Sequence, residues 1–291
     1  MDVKLGLGIL LAPPEGTAGE KESFRGWLER LEAKLEAAKE AGAAFAELPL
    51  YVLAGLTDEQ FGEAAALIRK AGLPIDSVVA LFPGDLRVVG PEVDEERVAG
   101  YLERAFERAA ELGTETVVFG SGRARSFPDG WSKEQAMGQL EALLQRCDAL
   151  AQRHGLLVAL EPLNRRETNL IRFLEDAVEL AARLYLPNLR VLADAYHMDV
   201  MREDFEMVEE ACEMGLLAHA HVATATRGYP LPEEERQEES GRKFVPAFVS
   251  SLVRAGYEGR LSIEALEEGA DHSPDVQRRS LAYLRSLAAG E

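Results

Sequence analysis

Cysteine is scarce in this 291-residue chain: its two thiols, Cys147 and Cys212, stand far apart inside helical patterns. That excludes a disulfide framework and a thiolate-rich metal knuckle, and it fits a reducing cytoplasm. Positive charge is also short, with 32 Lys and Arg against 51 Asp and Glu and a formal net charge of −19. So acidic a surface repels phosphate backbones and anionic headgroups, so neither nucleic acid nor a membrane surface is an expected partner. Arg123, Arg125 and Arg227 are the residues from which a local basic spot could still be built. No apolar run approaches the ~20 residues needed to cross a bilayer. The stretch Leu5–Ala12 runs into Pro13-Pro14-Glu15 without a small-x-small cleavage site, and reads as a strand rather than a signal-peptide core. Asn occurs only at 164, 169 and 188, a pattern that resembles the thermophile avoidance of labile amides.

What the chain does have is core-forming material, 47% hydrophobic residues with 29% charged, arranged in a rhythm. Short apolar runs recur at intervals near 30 residues: Leu5–Leu11, Ala43–Leu48, Ile75–Leu81, Thr116–Phe119, Leu156–Leu160, Arg190–Ala193, Leu217–Val222 and Leu261–Ala265. Helical patterns follow them at about 22–42, 58–72, 94–112, 131–154, 173–186, 202–215, 241–256 and 274–288. Gly42, Gly72, Gly113, Gly155 and Gly256 each fall just past a helix, where a left-handed cap is wanted, and Thr57-Asp58-Glu59-Gln60 supplies a capping box. Eight strand–helix alternations with no hairpin signal predict a parallel sheet closed into a (β/α)8 TIM barrel, one α/β domain over 1–291. The rival, an open doubly wound sheet, commonly carries a Gly-rich phosphate turn after its first strand. Leu11-Ala12-Pro13-Pro14 stands there instead, so no nucleotide cofactor is expected.

In such a barrel the chemistry sits where strands end. Glu161, Asp194, His221 and Glu264 end strands five to eight, separated in sequence by 33, 27 and 43 residues. One βα unit of a barrel is about 31 residues, so each step advances one strand around the ring at similar height. Three carboxylates and an imidazole make an oxygen-rich set that suits one divalent metal, Mn²⁺ first, with Mg²⁺ or Co²⁺ as alternatives. Other polar residues get plainer assignments. His219 reads as a hydrogen-bonded core histidine one layer below His221, Glu47 as a partner for a loop, and His154 and His272 as surface groups. Trp27 and Trp131 read as packing anchors, and Arg123 and Arg125 divide between loop salt bridges and substrate contact.

At these positions the chain resembles a known family. Leu160-Glu161-Pro162-Leu163-Asn164-Arg165-Arg166-Glu167-Thr168, Asp194-Ala195-Tyr196-His197-Met198, His219-Ala220-His221-Val222 and Ser262-Ile263-Glu264 resemble the xylose-isomerase-like sugar phosphate isomerase/epimerase superfamily, nearest its ketose 3-epimerases of the tagatose/psicose type. Gly120-Ser121-Gly122 and Arg125 are similar to one subgroup. The resemblance implies metal ligation by Glu161, Asp194, His221 and Glu264, proton transfer by Glu161 and Glu264, and substrate contacts from Glu167, His197 and Arg227. It implies a small sugar or polyol substrate, and a homodimer or homotetramer is expected.

The chemistry is coherent. A hydrogen beside a ketone is a very weak acid, and its removal needs the developing enediolate oxygen stabilised as charge appears. Two carboxylates on opposite sides of that carbon then act as base and acid. Return of the proton to the other face is epimerisation, and return to the neighbouring carbon is aldose–ketose isomerisation. Inosose dehydration or isomerisation and hydroxypyruvate-type isomerisation use the same logic. Apurinic-site endonucleases share the barrel, but need several metals and extra His on early strands, whereas no His here precedes residue 154. One departure stands out. After the His-x-His strand the family shows a Pro-Gly segment and a Gly-x-x-Asp element, whereas here Thr224–Pro232 leads into the acidic run Glu233–Glu239. The enlarged loop at about 223–243 is expected to serve as a lid or subunit contact.

Overall fold

The computed structural model describes residues 3–14, 23–234, 243–266 and 270–290. Its first elements are β1 (Lys4–Gly8), α1 (Phe24–Ala41), β2 (Phe45–Pro49), α2 (Leu50–Gly55), α3 (Asp58–Ala71), β3 (Ser77–Val79) and α4 (Glu95–Glu111). Then come β4 (Thr116–Phe119), α5 (Gly122–Arg125), α6 (Lys133–His154), β5 (Leu157–Leu160), α7 (Leu174–Leu184), β6 (Leu189–Asp194) and α8 (Ala195–Met201). The last are α9 (Glu206–Glu213), β7 (Leu217–Val222), α10 (Phe244–Arg254), β8 (Arg260–Ile263) and α11 (Pro274–Ala289), with a short 3₁₀ turn at Pro232–Glu234.

Local signals set these boundaries. The Gln60 amide donates to Thr57 Oγ1 at 3.2 Å and the Thr57 amide donates to the Gln60 side chain at 3.0 Å, closing the expected capping box. Gly42, Gly72 and Gly155 take left-handed conformations at the ends of α1, α3 and α6, where a Cβ would be strained. Among the described residues no helix is long and apolar enough to cross a membrane.

Every strand pairs in parallel with its sequence neighbours, and β8 returns to β1, so the sheet closes in the order β1 to β8. The main apolar core lies between this sheet and the helices, where Leu31, Leu35, Ala38 and Phe106 are completely buried. The barrel interior is divided. Val79, Val118, Ala159 and Leu192 form a separate apolar cluster inside the ring, with Leu10 packed on it. The other side is polar: Glu47, Ser77, His219, His221 and Ser262 are all fully buried there.

Three short helices escape the periodicity. Helices α2, α5 and α8 each follow a strand within a few residues at the C-terminal rim, too briefly for a 3.6-residue pattern to register. The helix expected over 202–215 is the shorter α9, which starts at Glu206, and α8, capped by Asp194, precedes it where no helix was expected. The enlarged loop lies between β7 and α10. Most of the acidic run, from residue 235, is outside the described residues, and so is the part on which a lid or subunit contact was expected.

Candidate metal and substrate site

Strand register brings the expected groups together. Asp194 ends β6 directly opposite His221 on β7, and His221 lies opposite Ser262 on β8. Glu161 and Glu264 each sit one residue past a strand and extend the ladder, through Glu161 N–H to Phe119 O at 3.1 Å and Glu264 N–H to Val222 O at 3.1 Å. One side-chain ligand atom from each of Glu161, Asp194, His221 and Glu264 lies within 4.8 Å of every other. His221 Nδ1 is 3.4 Å from Glu161 Oε1 and 3.7 Å from Asp194 Oδ2.

Two atoms at this centre, Glu161 Oε1 and His221 Nδ1, are buried without a hydrogen-bond partner. A buried acceptor without a partner is costly, and a divalent cation is what these two lone-pair donors together would satisfy. The donor set, three carboxylates and one imidazole, fits an oxygen-preferring ion.

Asp194 has a second task. Its Oδ1 accepts the His197 amide at 3.1 Å, which starts α8. Burial opposes its charge, but His197, His221 and Arg227 outweigh that and hold the carboxyl below its usual range.

The three expected substrate contacts form a rim above the four converging groups, organised by Asn164. His197 Nδ1 accepts from the Asn164 amide at 3.2 Å and lies 2.8 Å from Asn164 Nδ2, which leaves Nε2, the atom facing Asp194 at 4.0 Å, to carry the ring hydrogen. Asn164 Nδ2 also donates to Glu167 at 3.0 Å. Arg227 reaches Glu167 at 3.5 Å, forms an ion pair with Glu264, and sits over the Tyr196 ring with its guanidinium carbon 4.8 Å from the centroid. Burial works against the Arg227 charge, but Glu264, Asp194 and Glu167 reverse that and raise its pKa.

Glu47 differs from expectation. It meets no loop. It is fully buried beneath the four groups, accepts from Ser77 Oγ at 2.5 Å, from Ser262 Oγ and from His221 Nε2 at 3.5 Å, and pairs with His219 Nε2 at 2.8 Å. Burial opposes ionisation, yet the two imidazoles hold its carboxyl well below the usual range.

Arg125 forms neither a surface salt bridge nor an open substrate contact. It is completely buried and donates to the main-chain carbonyls of Phe119 at 3.1 Å, Glu161 at 2.8 Å and Ile171 at 3.3 Å, tying the ends of β4 and β5 together. Burial lowers its pKa to about 10 against the pull of Glu161 and Glu167. With Arg125 spent on carbonyls and Arg227 on carboxylates, the suggested basic spot of 123, 125 and 227 does not form. His272 is also less peripheral than expected: its ring lies 2.9 Å from Tyr229 Oη and 2.8 Å from Leu266 O, bridging the loops after β7 and β8.

Sequence reasoning missed Asn164 and undervalued Glu47. Asn164 stood within a quoted string with no signal beyond its rarity. Glu47 is the middle residue of β2, a fully buried strand, and its partners lie across the barrel where the sequence gives no sign of them.

The chain is 27% identical over 232 residues to the 3-dehydro-D-guloside 4-epimerase of Escherichia coli, a match covering 77% of this chain and 84% of that protein. It is 26% identical over 268 residues to the ketose 3-epimerase of Arthrobacter globiformis, covering 90% and 86% respectively. Among solved structures, the 3-keto-D-glucoside 4-epimerase of Escherichia coli superposes with a TM-score of 0.70 at 23% identity, covering 98% of this chain and 99% of that one. The D-psicose 3-epimerase of Clostridium cellulolyticum, solved with D-tagatose, superposes with a TM-score of 0.75 at 17% identity over 98% and 99%, a likeness of fold. The family model described as Xylose isomerase-like TIM barrel matches residues 35–287, nearly the whole of the closed barrel and all four converging strand ends, and the chain belongs to that family.

Proposed function

We propose that this chain is a divalent-metal-dependent sugar epimerase or isomerase, acting on a ketose or related polyol ketone through an enediolate. The observation that carries this reading is the convergence of Glu161, Asp194, His221 and Glu264 within 4.8 Å, with two of their lone-pair atoms buried and partnerless. A divalent cation held there, Mn²⁺ by preference, supplies Lewis-acid stabilisation of negative charge on neighbouring substrate oxygens.

The chain's own groups do the rest. Glu161 and Glu264 leave strands three apart in the ring, so they approach a bound sugar from different sides. One removes the proton beside the carbonyl while the other delivers a proton to the opposite face. Arg227 and the Nε2–H of His197 donate to the oxygens on which charge develops, and Glu167 accepts from a substrate hydroxyl. The names of the two curated relatives support proton movement beside a carbonyl: position 4 adjoins a 3-keto group, and position 3 adjoins a ketose carbonyl.

The test is solvent exchange. Mn²⁺-loaded protein is incubated in D₂O with free ketoses, ketose phosphates and 3-keto-glycosides, and products are read by NMR. The expected result is deuterium at the carbon beside the carbonyl, together with the epimer, for at least one substrate. Asp194→Asn is the control. It keeps an oxygen for the His197 amide and hence the start of α8, but loses Mn²⁺ and exchange together. Wild-type protein that binds Mn²⁺ yet exchanges no substrate proton in any of these would sink the reading.

A further inference from the structure

Glu47 is a fully buried carboxylate that meets four donors from three strands, Ser77 on β3, His219 and His221 on β7 and Ser262 on β8. A carboxylate offers about four lone-pair sites, so these donors use up its accepting capacity. Only one of the four donors also belongs to the metal-binding group: His221, whose other nitrogen, Nδ1, faces Glu161 Oε1 and Asp194 Oδ2 and has no partner of its own.

We propose that Glu47 is a positioning residue for the metal centre: by accepting the Nε2–H of His221 it fixes the ring's tautomer and plane, so that the Nδ1 lone pair points at the cation. The proposal rests on the function proposed above, in which His221 is a ligand. His219 contributes by anchoring Glu47 Oε1 at 2.8 Å, while His221 Nε2 lies 3.5 Å from that oxygen and 3.2 Å from Oε2, within reach of both. A partner that holds the far nitrogen of a ligating histidine raises the ring's basicity and fixes its orientation; removing one costs about 10–100-fold in metal affinity.

The same cluster, Glu47, His219 and His221, has ligand atoms close enough to hold a cation of its own. The hydroxyls decide against it. Both oxygens of Glu47 already accept from a serine, and a cation there would have three protein ligands and have to displace those donors, whereas the centre above has four ligands and vacant lone pairs.

Two measurements test the clamp. The first is the long-range proton–nitrogen spectrum of ¹⁵N-histidine-labelled, Zn²⁺-loaded wild-type protein, with His221 identified by its loss in His221→Asn. The expected spectrum has the ring proton on Nε2 and the metal on Nδ1; the reverse arrangement overturns the proposal, and this result needs no variant of Glu47. The second is Mn²⁺ binding, with no substrate present. Glu47→Gln is expected to bind about 10–100-fold more weakly with an unchanged far-ultraviolet spectrum. Equal affinity in wild type and Glu47→Gln overturns the clamp while leaving the metal centre standing. Two Mn²⁺ per wild-type chain, with one lost in Glu47→Gln, overturns it in favour of a second cation. No Mn²⁺ bound to wild type removes the metal centre itself, and the clamp with it.

Discussion

Arg227 and Glu264 are joined as an ion pair at the mouth of the barrel, where the guanidinium shares the carboxylate that faces Glu161, Asp194 and His221. The arginine is held from several sides. Its amide donates to Thr224 O at 2.8 Å, its carbonyl accepts from Leu266 at 2.9 Å, and its backbone adopts a positive φ of 57°. That conformation is rare for a residue with a Cβ, so the loop bears local strain to aim this side chain inward.

Arg227→Gln is therefore expected to separate binding of metal from turnover. The substitution removes a positive charge that competes with a cation for Glu264, so Mn²⁺ binds about threefold more tightly or better. The lost donor costs about 100-fold in kcat/KM, the usual loss for one charge-stabilising group. Mn²⁺ titration and steady-state kinetics on the same preparation check both directions. An unchanged kcat/KM would remove Arg227 from the reaction.

How much of this was readable beforehand depended on whether the signal was periodic. The eight strands follow the apolar runs, because a strand buried on both faces is a continuous hydrophobic stretch. Glu161, Asp194, His221 and Glu264 were legible because the βα unit has a nearly constant length, which turns sequence spacing into angular position around the ring. Glu47 and Arg125 were not, because their meaning lies in contacts across the barrel or between loops. The distance from Glu47 to Ser262 in sequence carries no trace of their hydrogen bond. Helix α8 was missed because about two turns leave no stripe, although Asp194 three residues before His197 is the spacing of an N-cap.

Gly120 offers a test of how tightly the centre is built. A Cβ at this position would fall on Glu161 Oε2. Gly120→Ala must therefore push the Glu161 carboxylate out of the converging set, and it is expected to lower Mn²⁺ affinity at least about 10-fold, the scale set by disturbing a ligand's support. Gly138, on the exposed face of α6, has nothing within 4 Å of where a Cβ would stand. Gly138→Ala should instead stabilise the protein by about 1 kcal/mol through helix propensity, with Mn²⁺ affinity unchanged. Thermal unfolding and Mn²⁺ titration of the pair separate a local steric effect at the site from the general effect of an added methyl group.

Glu203 is expected to make stability depend on pH, away from the four converging groups. Its carboxylate accepts the Leu174 amide at 2.9 Å at the start of α7. Burial nonetheless raises its pKa to about 7, against that hydrogen bond and with help from Asp176, Asp204 and Glu175. The unfolded chain loses this proton near the ordinary glutamate value of 4.5, so between about 4.5 and 7 the folded state binds more protons than the unfolded one, and stability falls as pH rises. Above about 7 the loss is complete and the curve is flat. At about 1.4 kcal/mol per pKa unit the full loss is about 3.5 kcal/mol. Glu203→Gln keeps an oxygen for the Leu174 amide and does not titrate. Its melting temperature relative to wild type should therefore rise from pH 4.5 to pH 8, with the gain in relative stability approaching that figure. Parallel melting curves for the two proteins across that range would count against a buried, proton-holding Glu203.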